Sequence, residues 1–172
     1  LTAAANVYAV VNDGSPVKNG GLDAGQNAYS ANLLGTSLSV GGVAYVLAGP
    51  SAPGALSQTT VTLPAGSFST LHLLATAAVA NQAGQNFVVT YTDGTTSTIT
   101  QNLSDWFTPQ SYGGESIAKT MAYRDVSDGS PQTGPFYLYA YALPINPAKT
   151  TKTLTLPSNR KVVVLAVTMT PK

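Results

Sequence analysis

Short runs of Val, Thr, Tyr and Leu recur along this chain, separated by clusters of Gly, Pro, Asn and Asp. A spacing of about ten residues between such runs is typical of antiparallel sandwiches and barrels. No stretch keeps the helical period for three turns. The pattern predicts an all-β chain folded as an antiparallel β-sandwich, and we expect a jelly roll. The predicted strands lie near residues 6–11, 37–47, 59–63, 69–78, 85–92, 95–102, 117–124, 135–143, 150–156 and 161–169.

The clearest signal is a hairpin over residues 87–100, in which two alternating runs meet at Asp93-Gly94. Asp-Gly tolerates the positive φ of a type I′ turn, which joins two adjacent strands. Side chains of a strand alternate between its faces, so three of these residues should share one face, opposite Val88, Thr90 and Thr92. These residues are Phe87, Val89 and Tyr91.

Two further runs near the C-terminal end carry strand signals. Alternation over 151–156 places Leu154 and Leu156 toward the core. The run 162–167 is apolar without interruption, which predicts a central strand that is buried on both faces.

The length of 172 residues and the hydrophobic fraction of 44 % fit one domain, residues 1–172. A core of this size needs no disulfide or metal ion to stabilise it. The absence of Cys excludes disulfides and thiolate sites. Charged residues make up only 9 % of the chain, against about 25 % in average domains. Because such uncharged polar surfaces are common in secreted bacterial proteins, we expect a secreted, extracellular protein.

The charges also restrict the partners. The net charge is +1 and the basic residues are scattered, with one adjacent pair at Arg160-Lys161, so no nucleic-acid footprint is expected. No apolar run reaches the length of a membrane span, so we expect no membrane segment. We expect a monomer.

The acidic residues do not suggest a catalytic pair. Asp13, Asp93 and Asp128 each precede Gly and are typical of turns. Glycoside hydrolysis needs two carboxyl groups across a cleft, and we expect no two of the remaining acids to meet in one. The sole histidine, His72, lies in a strand signal and is expected to pack rather than act as a base. The remaining acids are Asp23, Asp105, Glu115 and Asp125.

Residues 19–27 could offer oxygen ligands to a structural calcium ion. Asp23, Asn19 and Asn27 carry suitable side chains, although their spacing fits no EF-hand loop. A Ca²⁺ site at Asp23 is therefore a candidate, and no other cofactor is expected.

Two groups of aromatic residues could bind a sugar, because an aromatic ring stacks on a pyranose while amides and carboxylates bind its hydroxyls. One group occupies the long loop over 104–115, and loops of this length are often functional. The alternatives are a core position for Trp106 and a buried sheet face for the tyrosines. The loop group is Trp106, Phe107 and Tyr112 with Asp105, Gln110 and Glu115; the second is Tyr137, Tyr139 and Tyr141, at every second position.

Several segments in order resemble an accessory β-sandwich domain of secreted bacterial glycosidases, such as α-fucosidases and α-galactosidases. The segments are 21–31, 91–96, 104–106, 121–124 and 149–157, followed by the apolar run to Met169. The family pattern usually has Phe where Leu22 stands. Asp23, Tyr29, Asp105, Trp106 and Arg124 lie in the matching segments, but no ligand-binding motif comes with them.

The resemblance implies a non-catalytic carbohydrate-binding module that holds a parent catalytic domain on a polysaccharide or oligosaccharide, with β-glucans or related plant polysaccharides favoured. The alternative is a structural module that packs against or spaces the catalytic domain without binding sugar. An exposed aromatic platform would favour the first, and a large apolar patch the second.

Overall fold

A computed structural model describes residues 2–50 and 52–172, most of them in or between strands. No helix among these residues has the length and apolar character needed to cross a bilayer. The helical elements are a 3₁₀ turn, Thr2–Ala4, and α1, Ala31–Leu34. The strands are β1 Val10–Val11, β2 Tyr29–Ser30, β3 Ser37–Val40, β4 Val43–Val46, β5 Thr60–Thr62, β6 Phe68–Ala77, β7 Gln82–Tyr91, β8 Thr96–Leu103, β9 Glu115–Asp125, β10 Pro131–Pro144, β11 Thr151–Thr155 and β12 Val162–Pro171.

Two antiparallel four-stranded sheets form the body of the molecule. The front sheet has the order β12-β6-β10-β9 and the back sheet the order β5-β11-β7-β8. The predicted all-β antiparallel sandwich is confirmed. The eight strands of the two sheets match the number in a jelly roll. Two pairs of consecutive strands, β7–β8 and β9–β10, are hydrogen-bonded neighbours within one sheet. The jelly-roll topology itself remains a prediction.

The front sheet is covered on both faces, which gives the domain two cores. The core between the sheets contains Phe87, Tyr139 and Tyr141. The opposite face of the front sheet is covered by residues 6–50, called the N-terminal layer here, and this second core contains Tyr29. Residues of β10 alternate between the two cores, as the pleat of a strand requires.

The N-terminal layer differs from the prediction. Within 6–11, only Val10–Val11 form a strand, and it pairs in parallel with β2, which had no strand signal. The predicted strand 37–47 is a hairpin of β3 and β4, because Gly41 and Gly42 both adopt positive φ and reverse the chain. The Tyr29 hydroxyl donates to the carbonyl of Tyr137 at 2.6 Å and ties the layer to β10.

The remaining strand signals are confirmed to within a few residues at each end. The hairpin forms at Asp93-Gly94, where the backbone N–H of Thr95 donates to Asp93 Oδ1 at 2.9 Å. Its three apolar residues are buried, as are Leu154 and Leu156. Strand β12 is buried on both faces over residues 162–166, but it lies at the edge of the front sheet rather than at its centre.

Candidate functional site

The long loop after β8 is fastened to the front sheet by Trp106. The backbone N–H of Trp106 donates to the carbonyl of Ala77 at 2.9 Å, and its own carbonyl accepts the N–H of Tyr137 at 2.7 Å. These bonds turn the indole ring into the core, where it is 3 % exposed and lies 5.3 Å from the rings of Tyr29 and Phe136. The prediction that Trp106 offers a stacking face to a sugar is therefore wrong.

The predicted tyrosine platform is also mostly interior. Tyr139 and Tyr141 are fully buried between the sheets, and Tyr137 is half-buried. The Tyr139 hydroxyl donates to the carbonyl of Asp105 at 2.7 Å, and burial raises the pKa of Tyr139 well above its usual value. The side chains face inward because the back sheet covers this face of β10. Tyr139 and Tyr141 are core residues, not a binding surface.

Glu115 holds the base of the loop closed. Its Oε1 accepts the Ser104 hydroxyl at 2.6 Å, and its Oε2 accepts the Tyr141 hydroxyl at 2.6 Å and the Ser104 N–H at 3.1 Å. The N–H of Gln110 donates to the same Ser104 hydroxyl at 2.9 Å. Glu115 and the Gln110 backbone thus support the loop, while the Gln110 side chain is exposed and Tyr112 is half-buried at the rim.

Arg124 of β9 is the centre of a cluster at this end of the sandwich. Its guanidinium lies 5.0 Å from the centroid of the Trp106 ring and 5.1 Å from that of Phe136. Its Nε donates to Gln132 Oε1 at 2.7 Å, and Nη1 lies 3.7 Å from Asp23 Oδ2. Burial lowers the pKa of Arg124, an effect that the charges of nearby acids oppose, and an arginine stays charged in any case.

Two of the four candidate acids lie near this arginine. Asp23 Oδ2 is 3.7 Å from Arg124 Nη1, and the charges of Asp23 and Asp105 both oppose the lowering of the Arg124 pKa. Burial raises the pKa of Asp105, whose Oδ1 accepts the N–H of Phe107 at 2.9 Å. Both carboxylates are bound to protein donors, and Glu115 has the separate role described above.

The predicted Ca²⁺ site at Asp23 does not fit its surroundings. Asp23 Oδ1 accepts the N–H groups of Gly25 (2.8 Å) and Asn27 (3.2 Å), and Oδ2 accepts the Asn27 side-chain amide at 2.7 Å. These N–H groups and the Arg124 guanidinium direct positive charge at both oxygens, where a cation would need acceptors. No group of three or more His, Cys, Asp or Glu side chains gathers elsewhere in residues 2–50 and 52–172.

The exposed aromatic ring of this region is that of Phe107, which is 51 % exposed. It packs against Phe136 with 5.4 Å between ring centroids. A depression of about 270 Å³ opens beside it, lined by Phe107, Phe136, Arg124, Gln132 and Thr133. Neither the Gln132 amide nitrogen nor the Thr133 hydroxyl bonds to another described residue, so both remain available to a ligand.

Two other residues that the sequence analysis considered, Asp128 and His72, form hydrogen bonds within the protein. Asp128 forms the expected turn, in which its Oδ1 accepts the Ser130 N–H at 2.9 Å. His72 Nε2 lies 2.8 Å from the Thr170 hydroxyl across two strands, and burial lowers its pKa. The sequence places Phe107 in the loop group but carries no signal that this ring is the exposed one, and Gln132 and Thr133 carry no signal of a site.

The comparisons with known proteins concern the fold. A family model described as AziU2-like beta-sandwich domain matches residues 6–172, which include both sheets and the N-terminal layer. No curated protein matches the chain. The match supports the β-sandwich part of the resemblance noted above, and its description names no ligand or neighbouring domain.

Proposed function

We propose that this chain, which belongs to the AziU2-like β-sandwich domain family, is a secreted, non-catalytic carbohydrate-binding module. The observation that carries the proposal is the exposed Phe107 ring beside the polar groups of Arg124, Gln132 and Thr133. An apolar ring face next to outward-facing donors is the chemistry that recognises a pyranose. The aromatic partner of the sugar is thus Phe107, in place of the buried Trp106.

The site is ordered before a ligand arrives. Phe136 supports the Phe107 ring from below, and Gln132 together with the Trp106 ring fixes the Arg124 guanidinium. Little side-chain entropy would then be lost on binding, which favours affinity.

The small size of the site limits its affinity for a sugar. A depression of about 270 Å³ accommodates roughly one or two sugar rings, since ligand pockets of drug size run from about 300 Å³ upward. We therefore expect weak binding to a single chain end or short stretch, strengthened when the module and a parent catalytic domain hold the same polysaccharide. β-Glucans and related plant polysaccharides remain the first ligand class.

Affinity gel electrophoresis tests the proposal with soluble β-glucans, xyloglucan, mannans, xylans and α-galactans. The wild-type domain should be retarded by at least one polysaccharide. The Phe107→Ala variant should migrate in that gel as it does in a gel that contains no polysaccharide. Ile117→Ala is the matched control, because Ile117 is an exposed apolar residue on the same strand as Arg124 but roughly 20 Å along it. Equal retardation of all three proteins would contradict this site.

The second candidate is an interaction module that packs against a neighbouring domain. Two depressions of about 270 and 380 Å³ flank Val167 and Thr168 of β12. Next to them Val46 is 81 % exposed, an unusual position for an apolar side chain. This candidate is favoured if no polysaccharide retards the wild-type domain.

A further inference from the structure

Asp125, the last residue of β9, is an acid without a partner in the core. Its side chain is fully buried, and neither carboxyl oxygen accepts a hydrogen bond from a donor in the described part of the chain. No Lys or Arg of residues 2–50 and 52–172 forms an ion pair with it. An isolated buried carboxylate is so costly that such a group takes up a proton or a compensating charge.

The fold places the carboxylate of Asp13 next to Asp125. Asp125 shares a face of β9 with Tyr123, whose hydroxyl donates to Asp13 Oδ2. Asp125 also exchanges two backbone hydrogen bonds of 3.0 Å with Ala28, and Ser30, two residues further on, donates its hydroxyl to Asp13 Oδ1 at 2.6 Å. The two carboxyl groups therefore converge between β9 and the N-terminal layer.

The two acids have opposite surroundings. Burial, followed by the charge and the hydrogen-bonding contact of Asp13, raises the pKa of Asp125 to about 6. Burial also acts on Asp13, but hydrogen bonds from Ser30, Tyr123 and Asn32 outweigh it and lower the pKa of Asp13. One group is suited to remain an anion and the other to hold a proton, which is how paired carboxyl groups divide their charge.

We propose that Asp125 is protonated in the folded protein and donates a hydrogen bond to the carboxylate of Asp13, so that one shared proton fastens the N-terminal layer to β9. The contact lies beneath two interlocked turns, where the N–H of Gly14 donates to the carbonyl of Gly129 at 2.9 Å and that of Val17 to Ser127 at 3.0 Å. Loss of the proton places two negative charges side by side and loosens this junction.

The charged groups near the pair do not replace the proton. Arg124, the neighbouring residue of β9, forms its ion pair with Asp23 and stacks on Trp106 and Phe136. Asp128 is exposed and bound to Ser130, and Lys18, beside the turn, forms no ion pair within the described residues. The Tyr123 hydroxyl donates to Asp13, a contact that raises the pKa of Tyr123, and it accepts the Ser30 hydroxyl at 3.5 Å.

The direction of the pH effect follows from the raised pKa. A group that binds its proton more tightly when folded stabilises the fold fully below its unfolded pKa, here 3.8, and loses that contribution as the pH rises through about 6. Two pKa units correspond to about 100-fold in the folding equilibrium. The lowered pKa of Asp13 acts in the opposite sense, but only as the pH falls through values below 3.8.

Carboxyl ¹³C NMR of the wild-type domain and pH-dependent denaturant unfolding test the proposal. The Asp125 carboxyl signal should titrate near pH 6, and the contribution of Asp125 to the folding equilibrium constant should fall roughly 60-fold from pH 4 to pH 8. Asp125→Asn, whose amide donates at every pH, should remove most of that decrease. Asp128→Asn, an exposed turn acid, is the control and should keep the wild-type profile.

Three results would overturn the proposal. The first is an Asp125 signal that titrates near or below pH 4, which needs only the wild-type protein. The second is an Asp125→Asn variant with the wild-type dependence on pH. The third is strong stabilisation of the wild type, but not of Asp125→Asn, by CaCl₂ or NaCl at pH 8, because a cation would then hold the pair.

Discussion

The Tyr141 hydroxyl should contribute to the stability of the fold and not to ligand binding. It donates to Glu115 Oε2 at 2.6 Å and accepts the Ser104 N–H at 3.3 Å, at the point where the long loop leaves β8. Tyr141→Phe removes a hydrogen bond to a carboxylate, a loss of about 1.5–3 kcal/mol in the free energy of unfolding. The Ser104 N–H keeps its second acceptor, Glu115 Oε2 at 3.1 Å, so the estimate needs no added cost for an unpaired donor.

Thermal and denaturant unfolding measure this change directly. For a domain of this length the loss corresponds to a decrease in Tm of roughly 3–12 °C. Tyr137→Phe is the matched control, because Tyr137 lies on the same strand and its hydroxyl bonds to no other described residue. A Tyr141→Phe variant that unfolds within about 0.5 kcal/mol of the control would refute the role assigned to the Glu115 network.

Three more predictions concern stability. Gly129→Ala should cost roughly 2–5 kcal/mol, because its φ is +85° and a Cβ would meet the Ser15 backbone at 2.4 Å; Gly94→Ala, with φ of +83° and open space around it, should cost only about 1–2 kcal/mol in the same denaturant titration. Treatment with EDTA should leave Tm unchanged, because N–H groups and a guanidinium surround Asp23; a decrease that Ca²⁺ reverses would contradict this. Arg124→Lys should lower the unfolding free energy by about 1–2 kcal/mol, because an ammonium group does not stack on two rings, and an unchanged value would argue against the stacked arrangement.

Local patterns were sufficient to locate the strands of the two sheets, but not the order of those strands. Alternation and an Asp-Gly turn predict the hairpin of β7 and β8, because both signals act within a few residues of the chain. The run 37–47 was harder, since its period continues through Gly41-Gly42 and the glycines are the only sign of a reversal. The edge position of β12 depends on which strands pair with each other. An apolar run indicates that a strand is buried, but it does not indicate which strands lie beside it.

The candidate site was predicted as a region but not as residues. The long loop does contain the exposed aromatic ring, yet Trp106 and Phe107 are adjacent, and an irregular loop has no period that shows which one faces inward. The burial of Trp106 is determined by its backbone hydrogen bonds to Ala77 and Tyr137, which are distant in sequence. Gln132 joins the site only through its pairing with Arg124 across β9 and β10.

The N-terminal layer also determines the order in which the chain can complete its fold. Asp13 and Tyr123 are 110 positions apart, and Tyr29 and Tyr137 are 108 apart. The N-terminal layer therefore leaves the ribosome long before β9 and β10 are made. Until then the apolar residues of the layer have no sheet to pack against. Contacts over such separations slow folding to roughly milliseconds or longer. During synthesis the layer therefore exposes apolar surface that is prone to aggregation, and it can dock only after β9 and β10 have been made.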